Sequence, residues 1–407
     1  MNDTRSATRV PMPLLSTIAL ASPLALNLFV PAMPDAARDL GVDVSTIQLT
    51  FTSYLLTLAI GQLISGPLAD YFGRRPVLLT GLLLHVLGSA LAAMANDITL
   101  LVGGRVLQAL GGAAAMSLAR TIIVDSYGRQ GAAGKMGYIV MAIAIAQSIA
   151  PTVGGFMSLW FGWSMTFLLP IVIGSLVGLL AYLWLPETCQ EKADSIRIGR
   201  VLGQYRQVIS SSEYLGYALS TTFIASAFYL FVGSSPYLVV DQMGMDSAVF
   251  GSWFLAVSLA FMAGSMASTR LAAHLNIDRM VMLGNLLSLV GAAVLLGFAL
   301  LGTLSLSSLF LPMALVTFGR GLSQPNAHSG AIASATVAAG TASGLMGFIQ
   351  LLTGALVAQL TPWLMDQGLS VLMGTLLMAP LLAIACHGYS WIKRTQAAEH
   401  AVPNNKV

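Results

Sequence analysis

Gly66-Pro67-Leu68-Ala69-Asp70-Tyr71-Phe72-Gly73-Arg74-Arg75-Pro76-Val77 is a short charged loop set between two long apolar runs. The flanking runs, about 45–66 and 76–96, are each long enough to cross a hydrocarbon layer of about 30 Å as a helix. A two-arginine loop held this tightly between two spans makes a fixed corner on the cytoplasmic side of a bilayer. The rest of the chain follows the same pattern. Apolar segments fall at about 12–34, 45–68, 76–96, 98–121, 134–158, 164–185, 213–236, 247–270, 279–301, 306–332, 340–362 and 369–392. The spacing therefore predicts an all-α integral membrane protein of twelve transmembrane helices. The longest polar break, 186–212, carries Glu187, Glu191, Lys192, Asp194, Arg197, Arg200 and Arg206. It divides an N-terminal bundle, 1–185, from a C-terminal bundle, 213–395, and a polar tail follows at 396–407.

Composition agrees. The 407-residue chain is 56% hydrophobic and 9% charged, where a soluble domain carries about 25% charged residues. A lipid bilayer is its solvent. The formal charge of +3 gives no reason to expect nucleic acid as a partner. The two cysteines, Cys189 in the polar break and Cys386 in the last apolar run, indicate no disulfide framework, and no Cys/His cluster has metal-ligand spacing. No metal or cofactor is expected. The N-terminus offers basic residues (Arg5, Arg9), an apolar stretch and Ala19-Leu20-Ala21, which a cleaved signal peptide would also show. The stretch runs on to about Phe29–Ala32, too long for that, so a retained first helix is expected.

Orientation follows from the basic residues. With both termini cytoplasmic, all but Arg38 and Arg105 of the nineteen Lys and Arg fall in inner loops or in helix parts leading to them. The outer loops then hold Asp35, Asp39, Asp43, Asp97, Asp241, Asp246 and Asp366. An internal repeat appears at an offset of 203 residues: Gly41 pairs with Gly244, Asp43 with Asp246, Gly61 with Gly264, Ser65 with Ser268, Gly81 with Gly284, Gly88 with Gly291 and Gln147 with Gln350. Two parallel six-helix halves, related by a pseudo-two-fold axis along the membrane normal, are the expected architecture, with a site at mid-membrane.

Gly66–Pro76 closely resembles the loop joining the second and third helices of the major facilitator superfamily, where small residues, an Asp, a Gly and two basic residues recur in this order. Within that superfamily the chain looks most like the Bcr/CflA drug–proton antiporters, which include chloramphenicol and bicyclomycin exporters. The matching text is Pro31-Ala32-Met33-Pro34, Ile47-Gln48-Leu49-Thr50, the charged loop itself and Ala339-Gly340-Thr341-Ala342-Ser343. The resemblance implies a gating corner at Asp70, Arg74 and Arg75, with Asp125 a candidate partner. It implies a role in proton coupling for Arg105, in Gly104-Arg105-Val106-Leu107-Gln108 of the fourth helix. The segment Gln147-Ser148-Ile149-Ala150-Pro151-Thr152-Val153-Gly154-Gly155 resembles the antiporter motif of the fifth helix, with Ala150 in place of its first Gly. Pro151 there removes an intrahelical hydrogen bond, and Gly154 and Gly155 permit close helix approach.

Two positions depart from the family pattern. Asn27 stands where an acid is typical of the first helix, so proton binding is lost there while hydrogen bonding to substrate is kept; Asp35 or a histidine is left as a proton carrier. Arg320, in Gly319-Arg320-Gly321, is expected near the bilayer centre, where a charge marks a functional site by default. Asn326, His328, Gln147, Gln350 and Tyr229 complete the candidate substrate contacts. Arg120 is expected to pair with Asp125, and His85 to be a buried packing residue. No enzyme-like set of acids, His or nucleophiles is recognisable at depth. The expected function is proton-driven efflux of a small amphipathic, neutral or anionic compound by a monomeric, multi-pass exporter of the bacterial inner membrane. Its partners are then protons as coupling ion and a small-molecule substrate. Export of an endogenous anionic metabolite, such as a carboxylate siderophore, is the alternative.

Overall fold

The computed structural model describes residues 10–189, 192, 198–335 and 339–401. Arg5, Arg9, Glu191, Asp194, Arg197 and the tail beyond 401 lie outside the described residues. Among those described, twelve helices are long and apolar enough to cross a membrane. They are α1 (Met12–Leu40), α2 (Val44–Phe72), α3 (Arg74–Ala93), α4 (Ile98–Gly128), α5 (Met141–Phe161), α6 (Trp163–Trp184), α7 (Ser212–Gln242), α8 (Ser247–Leu271), α9 (Ile277–Leu300), α10 (Leu306–Ala333), α11 (Thr341–Asp366) and α12 (Leu369–Gln396). A shorter amphipathic helix, Ile198–Ile209, precedes α7. The predicted spans are all present, with ends that differ by up to seven residues.

Lipid cannot satisfy exposed backbone groups, so helices are the economical way to cross it, and their ends need partners. Asp43 and Asp97 cap α2 and α4 by accepting from the Thr46 and Leu100 amides, at 2.7 and 2.9 Å. Ser305 opens α10 with a reciprocal capping box to Ser308. At the C-terminus of α1, Gly41 has φ 63°, a left-handed cap that a side chain would strain; its repeat partner Gly244 has φ 66°.

Apolar faces give no net drive for helix association in lipid, so close approach of small residues does more of the work. Leu83, Leu87 and Leu91 form an exposed stripe on α3, while its opposite face is buried against α4. There Gly81 lies on the Gly111 backbone and Gly88 on that of Gln108. In the second half Gly284 lies on Gly319 and Gly291 on Val316. A side-chain link repeats too: His85 Nδ1 meets the Gln108 carbonyl at 3.0 Å, and Ser288 Oγ donates to the Val316 carbonyl at 2.9 Å. The offset is 203 for α3 and α9 but 208 for α4 and α10. Structurally, therefore, Arg105 matches Met313, and Arg320 matches Gly112. The two buried arginines are not copies of one another.

The chain forms two compact units, Met1–Ile196 with Gly233–Leu255, and Arg197–Val232 with Ala256–Val407. The first unit thus takes in the end of α7 and the start of α8. Gly155 lies on the Ser247 backbone, Gly251 lies on that of Pro151 and Thr152, and Thr152 Oγ1 donates to the Gly251 carbonyl at 2.7 Å. Only glycine lets the backbones come that close.

Candidate functional site

Arg105 sits about two turns into α4 and is fully buried. Its Nη1 donates to Gln108 Oε1 at 2.6 Å and to the Ala25 carbonyl of α1 at 3.2 Å. The guanidinium carbon lies 4.2 Å from the Tyr54 ring centroid, 5.4 Å from Phe29 and 5.7 Å from Phe167. Nε and Nη2 have no hydrogen-bond partner among the described residues; the ring faces are their environment. Snorkelling to the interface is therefore excluded. Burying the charge costs roughly 2.5–3.5 kcal/mol on insertion scales. Desolvated cation–π contact, about 2 kcal/mol, and charge-assisted hydrogen bonds, about 1.5–3 kcal/mol each, can offset this.

The surroundings hold Arg105 in place. Gln108 Nε2 donates to Ser89 Oγ at 2.7 Å, and Ser89 Oγ donates to the His85 carbonyl at 2.7 Å. His85 is fully buried and donates from Nδ1 to Gln108, a packing role as expected. The Tyr54 hydroxyl pairs with Ser22 of α1 at 2.9 Å. Asn27, also on α1, is buried and donates from Nδ2 to the Pro23 carbonyl at 2.7 Å. Gln147 of α5 is half-buried, with no hydrogen-bond partner among the described residues.

At the other end of this unit, the charged loop is a closed network. Arg74 pairs with Asp70 and, through Nε, with Asp125 Oδ2 at 3.1 Å. Asp125 also accepts from Thr188 Oγ1 at 3.2 Å. Glu187 accepts from the Arg74 and Arg75 amides at 2.9 and 3.2 Å, tying the loop to the segment after α6. Arg75 Nη2 donates to the Tyr182 carbonyl at 2.7 Å. The expected Arg120–Asp125 pair does not form. Residues five apart on a helix are about 140° apart around it, and Asp125 is turned to Arg74.

Asp35 lies beyond a short 3-10 turn, Val30–Ala32, in α1. It pairs with Arg38 and accepts from Ser158 Oγ of α5 at 2.7 Å. Arg38 also reaches Asp241 at 3.9 Å, and Asp39 accepts from Trp163 Nε1 at 2.8 Å. Pro151 falls inside α5, and Gly154 lies on the Leu28 carbonyl, where any Cβ would clash.

Arg320 is the fifteenth residue of the 28-residue α10, hence at mid-span, and is 7% exposed. Its Nε donates to Gln324 Oε1 at 3.0 Å, and its guanidinium carbon lies 4.4 Å from the Phe228 centroid and 5.2 Å from Phe261. No carboxylate pairs with it among the described residues. His328 and Gln350, both expected at the site, do come together: Gln350 Nε2 is 3.2 Å from His328 Nε2 and donates to Thr221 Oγ1 at 3.0 Å. Tyr229 is half-buried, its ring lying on Gly354. Asn326 donates to Ser268 Oγ at 2.7 Å and to the Leu322 carbonyl at 2.8 Å, a helix-to-helix tie rather than a member of that group.

Sequence reasoning missed a second ionic cluster. Arg394 donates to Glu213 Oε1 at 2.9 Å, to Asp278 Oδ1 at 2.8 Å and to the Tyr217 hydroxyl at 3.0 Å, with His387 Nε2 3.4 Å from Asp278. In the second-half loop Ala273 stands where the repeat would put a counterpart of Asp70, and Asp278 supplies the carboxylate from a different place.

Comparison with known proteins agrees with this architecture. The family model for the Major Facilitator Superfamily matches residues 15–358. The chain is 27% identical over 374 residues to "Multidrug resistance protein D" of Escherichia coli (strain K12), covering 92% of this chain and 93% of that one. It is 30% identical over 365 residues to the "Chloramphenicol resistance protein" of Pseudomonas aeruginosa, covering 86% and 85%. Among solved structures, it resembles a partially occluded inward open conformation of the xylose transporter XylE from E. coli, with a TM-score of 0.73 and 13% identity over 93% of this chain and 96% of that one. A twelve-span, all-helical chain whose repeat, charged corner and buried arginines sit within that match belongs to the major facilitator superfamily.

Proposed function

We propose that this transporter moves small amphipathic, neutral or anionic compounds out across the bacterial inner membrane in exchange for protons, working as a monomer by alternating access. The observation that carries the substrate class is the pair of buried arginines, Arg105 and Arg320, neither of which forms a salt bridge among the described residues. A guanidinium keeps its charge at any working pH, so two of them at depth repel lipophilic cations and favour polar or anionic groups. Export rather than uptake is supported by the likeness to proteins named for drug and chloramphenicol resistance and by the Pro151–Gly155 segment of α5. In this reading 1–185 and 213–395 are the moving bodies, both termini are cytoplasmic, and the Asp70–Arg74–Asp125 corner holds one of the alternating states. Asp35 and Arg105 carry the coupling. Proton uptake at Asp35 would weaken its ion pair with Arg38, and Arg105 would transmit the change through Ala25 of α1. Arg320 equally favours an endogenous anionic metabolite, such as a carboxylate siderophore, as cargo. An accumulation screen in an efflux-deficient host, with matched neutral, anionic and cationic compounds, tests the reading. Lowered accumulation of neutral or anionic members is expected; lowered accumulation of cationic members alone contradicts it.

A further inference from the structure

The two buried arginines differ in what they leave open. Arg105 is sealed, its unpaired Nε and Nη2 having no access to solvent. Arg320 is tied only at Nε, to Gln324. Neither of its Nη nitrogens has a partner among the described residues, and neither is wholly covered by protein atoms. The free edge is thus the end-on fork, whose parallel N–H groups match the two oxygens of one carboxylate.

The plane of that fork is set by its neighbours. The Phe228 and Phe261 rings lie 4.4 and 5.2 Å from the guanidinium carbon, and Gln324 fixes its rotation through Nε. The Tyr229 ring, on the next residue of α7, packs on Gly354 of α11. The Phe228 and Phe261 rings wall the guanidinium to which the open fork belongs, so they are aromatic surfaces beside a carboxylate held there. A flat ring can stack or meet an edge there, gaining more than a saturated ring of equal area. We propose that Arg320, Phe228 and Phe261 form a subsite for aryl carboxylates, in which the fork takes the carboxylate and the phenylalanines take the ring. This inference rests on reading the chain as an exporter of neutral or anionic compounds, and names the group that its second half selects.

Three probes separate the elements: 2-naphthoate, its saturated analogue decahydro-2-naphthoate, and the neutral 2-naphthamide. Binding to the purified full-length protein is measured calorimetrically. The expected result is 2-naphthoate binding at least about tenfold more tightly than either analogue. Arg320→Gln should remove the advantage over the amide, and Phe228→Leu with Phe261→Leu the advantage over the saturated acid. Equal binding of the two acids by the wild-type protein overturns the proposal, whether or not the variants fold; so does unchanged naphthoate binding by a folded Arg320→Gln protein. Everted vesicles keep the two readings apart. A protein that exports chloramphenicol but shows no naphthoate preference overturns the subsite and leaves efflux standing. One that binds naphthoate through Arg320 but moves none of the compounds supports the subsite and overturns efflux.

Discussion

Asp125→Asn separates the two ion pairs of the charged corner. Asp70 has a side chain 54% exposed and Asp125 one 23% exposed, while their shared partner Arg74 is 12% exposed. An exposed pair contributes about 0–1 kcal/mol, whereas a charge-assisted hydrogen bond in partial burial contributes about 1.5–3 kcal/mol. Discounted for its remaining exposure, the Arg74–Asp125 contact should hold the corner by about 1–2 kcal/mol. Its loss should shift any equilibrium that opens the corner about 5- to 30-fold. Asp70→Asn, though it matches the family loop more visibly, should shift it less than about fivefold. Cys189 supplies the assay, because its Sγ lies 4.0 Å from the Asp70 carbonyl and its amide donates to Glu187. Burial, chiefly, pushes the Cys189 thiol up from its ordinary value, with Arg74 opposing and Asp125 adding to the rise. Maleimide labelling at Cys189, in a Cys386→Ala background, should therefore still be rising with pH above neutrality. Neutralising either Asp70 or Asp125 lowers the thiol pKa and moves the midpoint of the profile to lower pH, whereas opening the corner raises its high-pH plateau. A plateau raised several-fold by Asp125→Asn, and less by Asp70→Asn, is expected. An unchanged plateau, or a larger effect from Asp70→Asn, refutes the reasoning.

Other substitutions test other parts. Arg105→Lys keeps the charge but loses the planar contact with Tyr54 and the fixed link to Gln108, so proton-driven export should fall at least about tenfold; Arg105→Gln should abolish it at unchanged membrane level. Gly154→Val forces a side chain onto the Leu28 carbonyl and should destabilise by about 1–3 kcal/mol, read as a lower unfolding midpoint of the detergent-solubilised protein, with Ser148→Ala as a mild control. Asp35→Asn removes the ion pair with Arg38 and the titratable proton, and should weaken the dependence of efflux on the pH gradient, while Asn27→Asp should introduce a new pH dependence. Unchanged pH profiles in both would remove α1 from the coupling path.

The spans were legible because the bilayer imposes one length on every helix, and the glycine repeat because close backbone approach tolerates no substitute. Arg320 stood out for a similar reason: a charge at mid-span is rare enough to be read from position alone. What surrounds it was not readable. Gln324 lies one helical turn away, but Phe228 and Phe261 come from other helices, and nothing in local spacing selects them from the chain's other aromatics. The corner shows the same limit. Asp70 and Arg74 are neighbours on the chain, whereas Glu187 is 113 residues from Arg74 and Arg394 is 181 from Glu213. The five-residue slip between repeats in α10 also hid which residue answers Arg105, since an offset of 203 would place it at Ser308 rather than Met313. Asn27 was legible as a departure, yet its bond to the Pro23 carbonyl one turn back is set by the direction its side chain takes, which local sequence does not fix.

The most direct test of proton-driven efflux is uptake of labelled chloramphenicol and 2-naphthoate into everted inner-membrane vesicles energised by respiration. The account predicts accumulation of at least one of them inside, collapsed by a protonophore and lost in Arg105→Gln vesicles. No accumulation of either compound, or accumulation that survives the collapse of the proton gradient, contradicts it.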